Sequence, residues 1–130
     1  MSALTGIHHV QITIPHHAVD AARSFYCGVL GLFEIEKPAA LQSRGGFWLQ
    51  VGDRQLHIGV EPKAETHAGT KAHVAYQVAD LDGWRRRLAV EGVQVEESIP
   101  IPGFRRLEFR DPWGNRVEFI EPQAATIDPD

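Results

Sequence analysis

Hydrophobic and polar positions alternate over Ile7-His8-His9-Val10-Gln11-Ile12-Thr13-Ile14, the pattern of a half-buried strand that Pro15 ends. From Val19 to Leu30 the period changes. Val19, Ala22, Phe25, Tyr26, Val29 and Leu30 fall at helical spacings, with Gly31 as the expected C-cap. Phe47–Val51 and Gln55–Val60 then read as strands joined by a hairpin turn at Gly52-Asp53. The same order begins again. Lys71–Val78 alternates, Asp80 is placed to cap a helix over Leu81–Glu91, and Gly92 stops it. Val93–Glu96 predicts a short strand, and Phe104–Arg110 and Arg116–Ile120 predict two more, joined by the turn residues Asp111-Pro112-Trp113-Gly114-Asn115. Glu61–Thr70, rich in Pro, Gly, Glu and Lys, reads as the connection between halves.

Two copies of strand, helix and two or three strands are too few for a solenoid and predict a paired α+β domain. The 130 residues fit a single domain, with module one over about 5–62 and module two over about 70–122. The predicted architecture is two paired βαβββ modules forming a curled mixed sheet with helices on the outer face. His9 and His73 hold the same place in the two opening strands, 64 residues apart. His57 and Glu118 hold the same place in the closing strands, 61 residues apart.

The strand phases decide which of these side chains share a face. Val10, Ile12 and Ile14 lie opposite His9, Gln11 and Thr13, and Leu56, Ile58 and Val60 lie opposite Gln55, His57 and Gly59. Val74, Tyr76 and Val78 lie opposite His73, Ala75 and Gln77, while Val117 and Phe119 lie opposite Arg116, Glu118 and Ile120. The apolar faces are expected under the helices, so three histidines and a carboxylate are left for a polar concavity. Imidazole nitrogens and a carboxylate oxygen together suit a borderline divalent ion such as Zn, Ni, Fe or Mn. The signal is the four-member set. His8 falls on the other strand phase, and His16, His17 and His67 fall in predicted loops, so these four read as ordinary polar residues. Arg85-Arg86-Arg87 reads as a solvated helix face.

Composition narrows the partners. Hydrophobic residues are 43% and charged residues 23%, a balance of folded soluble chains. The net charge of −4 disfavours nucleic acid, whose binding needs cationic patches. No apolar run reaches the length of a membrane span, and the first residues lack the pattern of a secretory signal. Cys27 is the only cysteine. No disulfide within the chain is possible, a cytoplasmic setting is expected, and the thiol reads as buried packing rather than a nucleophile.

The opening Ile7-His8-His9-Val10-Gln11-Ile12, the helix end Phe25-Tyr26-Cys27-Gly28-Val29-Leu30-Gly31-Leu32, the repeat at His73 and Asp111-Pro112-Trp113-Gly114-Asn115-Arg116-Val117-Glu118 together resemble the vicinal oxygen chelate superfamily. That group includes glyoxalase I, extradiol dioxygenases, fosfomycin-resistance thiol transferases, methylmalonyl-CoA epimerase and bleomycin-binding proteins. The resemblance covers about Ile7 to Glu121. It implies metal ligands at His9, His57, His73 and Glu118, with one divalent ion per site. It also implies a homodimer whose sites take residues from both subunits. Bacterial glyoxalase I resembles this pattern but carries Glu where this chain has His57. Three neutral histidines and one carboxylate would leave the site about one positive charge richer and the metal a stronger Lewis acid.

Three functions follow from the resemblance. The first is a glyoxalase-type lyase or isomerase acting on a small substrate chelated through vicinal oxygens. In it Glu118 is also the catalytic base, and Arg106, Glu108, Arg116, Gln11, Gln77 and Trp48 are candidates to line the pocket. The second is an Fe(II) extradiol-type dioxygenase using the facial set His9, His73 and Glu118. The third is a non-catalytic protein that sequesters a drug or metabolite.

Overall fold

A computed structural model of the chain describes residues 2–62 and 67–124. Residues 63–66 of the predicted connection lie outside them. The chain divides between residues 66 and 67 into two compact units, each built on one four-stranded mixed sheet.

In the first unit, β1 (His9–Pro15) runs parallel to β4 (Arg54–Glu61). β4 is antiparallel to β3 (Phe47–Val51), and β3 to the short edge strand β2 (Phe33–Ile35). Between β1 and β2 the chain makes a 3-10 turn at His16–Ala18 and the short helix α1 (Val19–Arg23). It then widens over Ser24–Val29 into a π-helical turn, closed by a bond from Leu30 N–H to the Phe25 carbonyl at 3.0 Å. The sequence predicts one regular helix here. Phe25 and Tyr26 are both buried in the widened turn, so side-chain burial overrides the regular backbone period. Gly31, at φ 74°, reverses the chain as expected of a C-cap. The strand predicted from Ile7 begins at His9, and Ile7 itself is exposed.

The second unit repeats the plan. β5 (His73–Gln77) runs parallel to β8 (Arg116–Pro122). β8 is antiparallel to β7 (Phe104–Arg110), and β7 to β6 (Glu96–Glu97). The last pair places the short strand slightly later than the predicted Val93–Glu96. The helix α2 (Leu81–Val90) starts where Asp80 Oδ1 accepts the Gly83 N–H at 3.0 Å. Gly92 follows it at φ 75°. Leu81 and Leu88 are buried, as are Leu107, Phe109, Val117 and Phe119 of the sheet. Phe119 meets the rings of Trp84, Phe109 and Tyr76 edge-on.

The register gives the repeat its geometric content. His9 pairs with Gln55, two residues before His57. His73 pairs with Arg116, two residues before Glu118. Each opening-strand histidine is therefore the diagonal neighbour of its closing-strand counterpart, close enough for long side chains to touch.

Candidate functional site

In module one the diagonal pair is a ring stack. The His9 and His57 imidazoles lie 4.0 Å apart at 16°, and Trp48 of β3 covers the other side of His57 at 3.9 Å and 3°. Gln11, His57 and Trp48 form one row across β1, β4 and β3, which is why their side chains share a face. His57 is only 5% exposed. Its Nε2 lies 2.9 Å from the Gln55 amide oxygen, so Nε2 carries the proton and Nδ1 the lone pair. Burial, with His9, His8 and Lys37 adding repulsion, holds its pKa at about 4. The ring is neutral near pH 7, the state a metal or a hydrogen-bond acceptor role requires.

The stack limits what the two rings do together. Lone pairs of parallel rings run side by side and do not meet at one ion, so His9 and His57 share a cation only after one ring turns. His9 is exposed on its strand and touches His8 through Nδ1 at 3.0 Å, leaving its Nε2 clear of that contact.

In module two the pair is ionic. His73 Nδ1 lies 2.9 Å from the Lys71 carbonyl, which only accepts, so Nδ1 carries a proton. Nε2 then faces Glu118 Oε1 at 3.2 Å. With Nδ1–H so engaged, Nε2 presents its lone pair towards the carboxylate, the side from which a cation would be held. An anchored Nδ1–H with a free Nε2 is the arrangement that orients a metal-ligating histidine. Glu118 is 4% exposed, and Arg106 Nη1 donates to the same Oε1 at 3.2 Å. Two further Arg106 nitrogens donate to the Ile99 carbonyl. An imidazole nitrogen beside a carboxylate, as at His73 and Glu118, is a donor pair of the kind that suits a divalent ion. Among the described residues, no three His, Cys, Asp or Glu side chains of the single chain gather as a cage.

The remaining candidates divide. Trp48 and Gln11 border a cavity of about 490 Å³ in module one, beside His9 and His57. Arg116 and Glu108 bind each other, with Nε donating to Oε2 at 2.6 Å, which is an ordinary cross-strand ion pair. The alternation of β7 suggests Arg106 with Glu108, whereas the diagonals pair Arg106 with Glu118 and Arg116 with Glu108. Gln77 stands exposed at the end of β5. Arg85 pairs with Glu97, and Arg87 lies over the Trp84 ring at 5.4 Å, consistent with a solvated helix face. Cys27 is half-buried, and burial raises its thiol pKa, which keeps it a poor nucleophile.

Sequence reasoning missed three residues at the cavity: His8, Lys37 and Arg44. His8 is on the other strand phase but lies just before β1 begins, where alternation no longer fixes direction. Lys37 precedes and Arg44 closes the 3-10 helix Ala39–Arg44, which has no strand or α-helical period to reveal it.

The fold and its diagonal pairs define a class, the paired βαβββ proteins of vicinal oxygen chelate type. Over residues 6–119 the chain matches the Glyoxalase/Bleomycin resistance protein/Dioxygenase superfamily, and it belongs to that family. A protein assigned to the glyoxalase family in Bacillus anthracis is 36% identical, with a TM-score of 0.87 over 95% of this chain and 99% of that one. Lactoylglutathione lyase from Agrobacterium tumefaciens is 22% identical, with a TM-score of 0.71 over 97% of this chain and all of that one. The fosfomycin resistance protein FosX from Listeria monocytogenes, in a structure with Mn(II) and sulfate, is 16% identical, with a TM-score of 0.73 over 94% of each chain. The last two share the fold. No curated protein matches the chain. Among the described residues, no helix is long and apolar enough to cross a membrane.

Proposed function

We propose that the chain is a metal-dependent enzyme of glyoxalase type, a lyase or isomerase acting on a small substrate held through two neighbouring oxygens. The observation that carries this reading is the His73–Glu118 pair, with Nδ1 anchored on the Lys71 carbonyl and Nε2 facing the carboxylate. The proposed ligands are His9, His73 and Glu118, with His57 as a fourth after its ring turns. His9 and His57 come from one subunit of a homodimer, and His73 and Glu118 from the other. A bound divalent ion would supply Lewis acidity to the substrate oxygens. That a FosX structure holds Mn(II) supports the ion class, and the lactoylglutathione lyase fold supports the reaction class.

The protein's own groups handle the proton. Glu118 Oε1 takes both the His73 and the Arg106 contacts, so Oε2 is the oxygen left to accept a substrate proton. Arg106 Nη1 lies 3.2 Å from Oε1 and places a positive charge beside this buried carboxylate. Its guanidinium is fixed by the Ile99 carbonyl and does not depend on substrate for its position.

Elemental analysis of protein purified without chelator tests the reading. About one divalent ion per chain is expected, and Glu118→Gln and His73→Ala should each weaken binding by more than about 100-fold, beyond the usual effect of losing an outer partner. Protein that neither carries nor takes up a divalent ion would overturn it. One observation favours a second reading, an Fe(II) dioxygenase with the His9, His73 and Glu118 triad: His57 is already engaged by Gln55 and by two stacked rings. His57→Ala that holds iron as tightly as the parent, and ring cleavage of a catechol by the iron-loaded protein, would favour it.

A further inference from the structure

The cavity in module one carries a charge opposite to that of the chain. The protein has a net charge of −4, yet among the described residues no Asp or Glu borders this space. Lys37 and Arg44 are its two permanent cations. Its volume, about 490 Å³, falls within the range of small-molecule sites. The nearest acidic side chains in sequence are otherwise placed. Glu34 is bound by Arg23 Nε at 2.6 Å, and Glu36 is exposed and off the cavity wall.

The two cations differ in how they are held. Lys37 Nζ donates to the Gly45 carbonyl at 2.6 Å, which fixes the ammonium at the wall and leaves two of its three N–H groups. Among the described residues Arg44 is exposed and has no hydrogen-bond or ion-pair partner, so its guanidinium fork is open to a ligand. The segment carrying them is fixed by Gly46. A Cβ there would sit 2.0 Å from the Ile58 carbonyl oxygen, so only glycine lets this segment lie against β4. An arginine closing a 3-10 helix is commonplace on a protein surface. A second cation pinned beside it, facing a space that no described carboxylate borders and that Trp48 and Gln11 line, is not explained by that.

We infer that Lys37 and Arg44 form an oxyanion subsite, taking a carboxylate or a phosphate-type group of the ligand while the histidine side of the cavity takes the remainder. The subsite stands on module one alone. Only its assignment to the substrate's anionic end rests on the enzymatic reading above.

Calorimetric titration with inorganic phosphate and, separately, with acetate tests this, on the protein as purified and again after exhaustive chelation. Phosphate or acetate should bind in both states, and the stronger of the two names the group. Arg44→Gln should weaken that binding by about 10- to 100-fold, the range for losing a charge-assisted hydrogen bond. Arg44 is exposed, so this variant should fold like the parent. Arg54→Gln, an equal charge change in module one away from the cavity, should leave binding unchanged. Binding of neither anion, an Arg44→Gln variant that binds like the parent, or an equal loss in Arg54→Gln would overturn the subsite. Binding that vanishes on chelation would do so as well, by tracing the anion to the metal. Loss of metal with anion binding intact would instead strike only the proposed enzymatic reading.

Discussion

His57 shows how strongly a neighbourhood sets the chemistry of a single residue. It is enclosed by two rings and an amide, and its pKa falls from 6.5 to about 4. The folded value lies below the unfolded one, so between these values the unfolded chain binds more protons than the folded chain. His57 therefore costs no stability above about pH 6.5, and a cost grows as the pH falls towards 4. Urea unfolding of chelated protein at about pH 7 and about pH 4.5 checks this against His57→Phe, which keeps a flat ring without the titration. The variant should gain about 1–2 kcal/mol on the parent at the lower pH. A constant difference between the two proteins would refute the coupling. Period-two alternation in the sequence places His57 on a shared face with His9. It carries no information on the ring planes, which depend on Trp48 across the sheet and on Gln55 two residues away.

At the scale of elements, what could be read from the sequence follows from periodicity. β1, β4, β5, β7 and β8 are legible because one face of each is apolar, and α2 because Asp80 and Gly92 mark its ends. β2 and the 3-10 helix after it are not, since three residues are too few to display alternation and a 3-10 turn has no long amphipathic stripe. The π-helical turn escapes for a related reason, because its apolar residues also satisfy the α-helical spacing. Gly46 is legible as a glycine but not as a constraint, which exists only because β4 runs beside it. Gly46→Ala puts a Cβ into the Ile58 carbonyl at φ +77°. A loss of about 2–4 kcal/mol is expected in chemical denaturation. Gly52→Ala also sits at positive φ but meets no atom, and should lose only about 1 kcal/mol. Equal losses would show that φ alone, and not the approach to β4, holds this segment.

For the whole molecule, the sequence repeat has a consequence for assembly. The diagonal His9–His57 and His73–Glu118 pairs are equivalent in register but complementary in chemistry, nitrogen donors on one module and a nitrogen–oxygen pair on the other. Neither pair alone satisfies a divalent ion. If the halves of a site come from different subunits, two defective chains should repair each other. A dimer of His9→Ala chains has two sites short of a module-one ligand, and a dimer of Glu118→Gln chains has two sites short of a module-two ligand. A mixed dimer concentrates both defects in one site and leaves the other intact. Random pairing after unfolding and refolding an equal mixture makes about half the dimers mixed, so about one quarter of all sites should regain metal, in a closed two-fold dimer. Elemental analysis of the refolded mixture, beside each variant refolded alone, reads this out. Recovery confined to the mixture requires sites shared between subunits. Metal that stays absent, while parent protein refolds and reloads under the same conditions, would show that each chain completes its sites without exchanging halves.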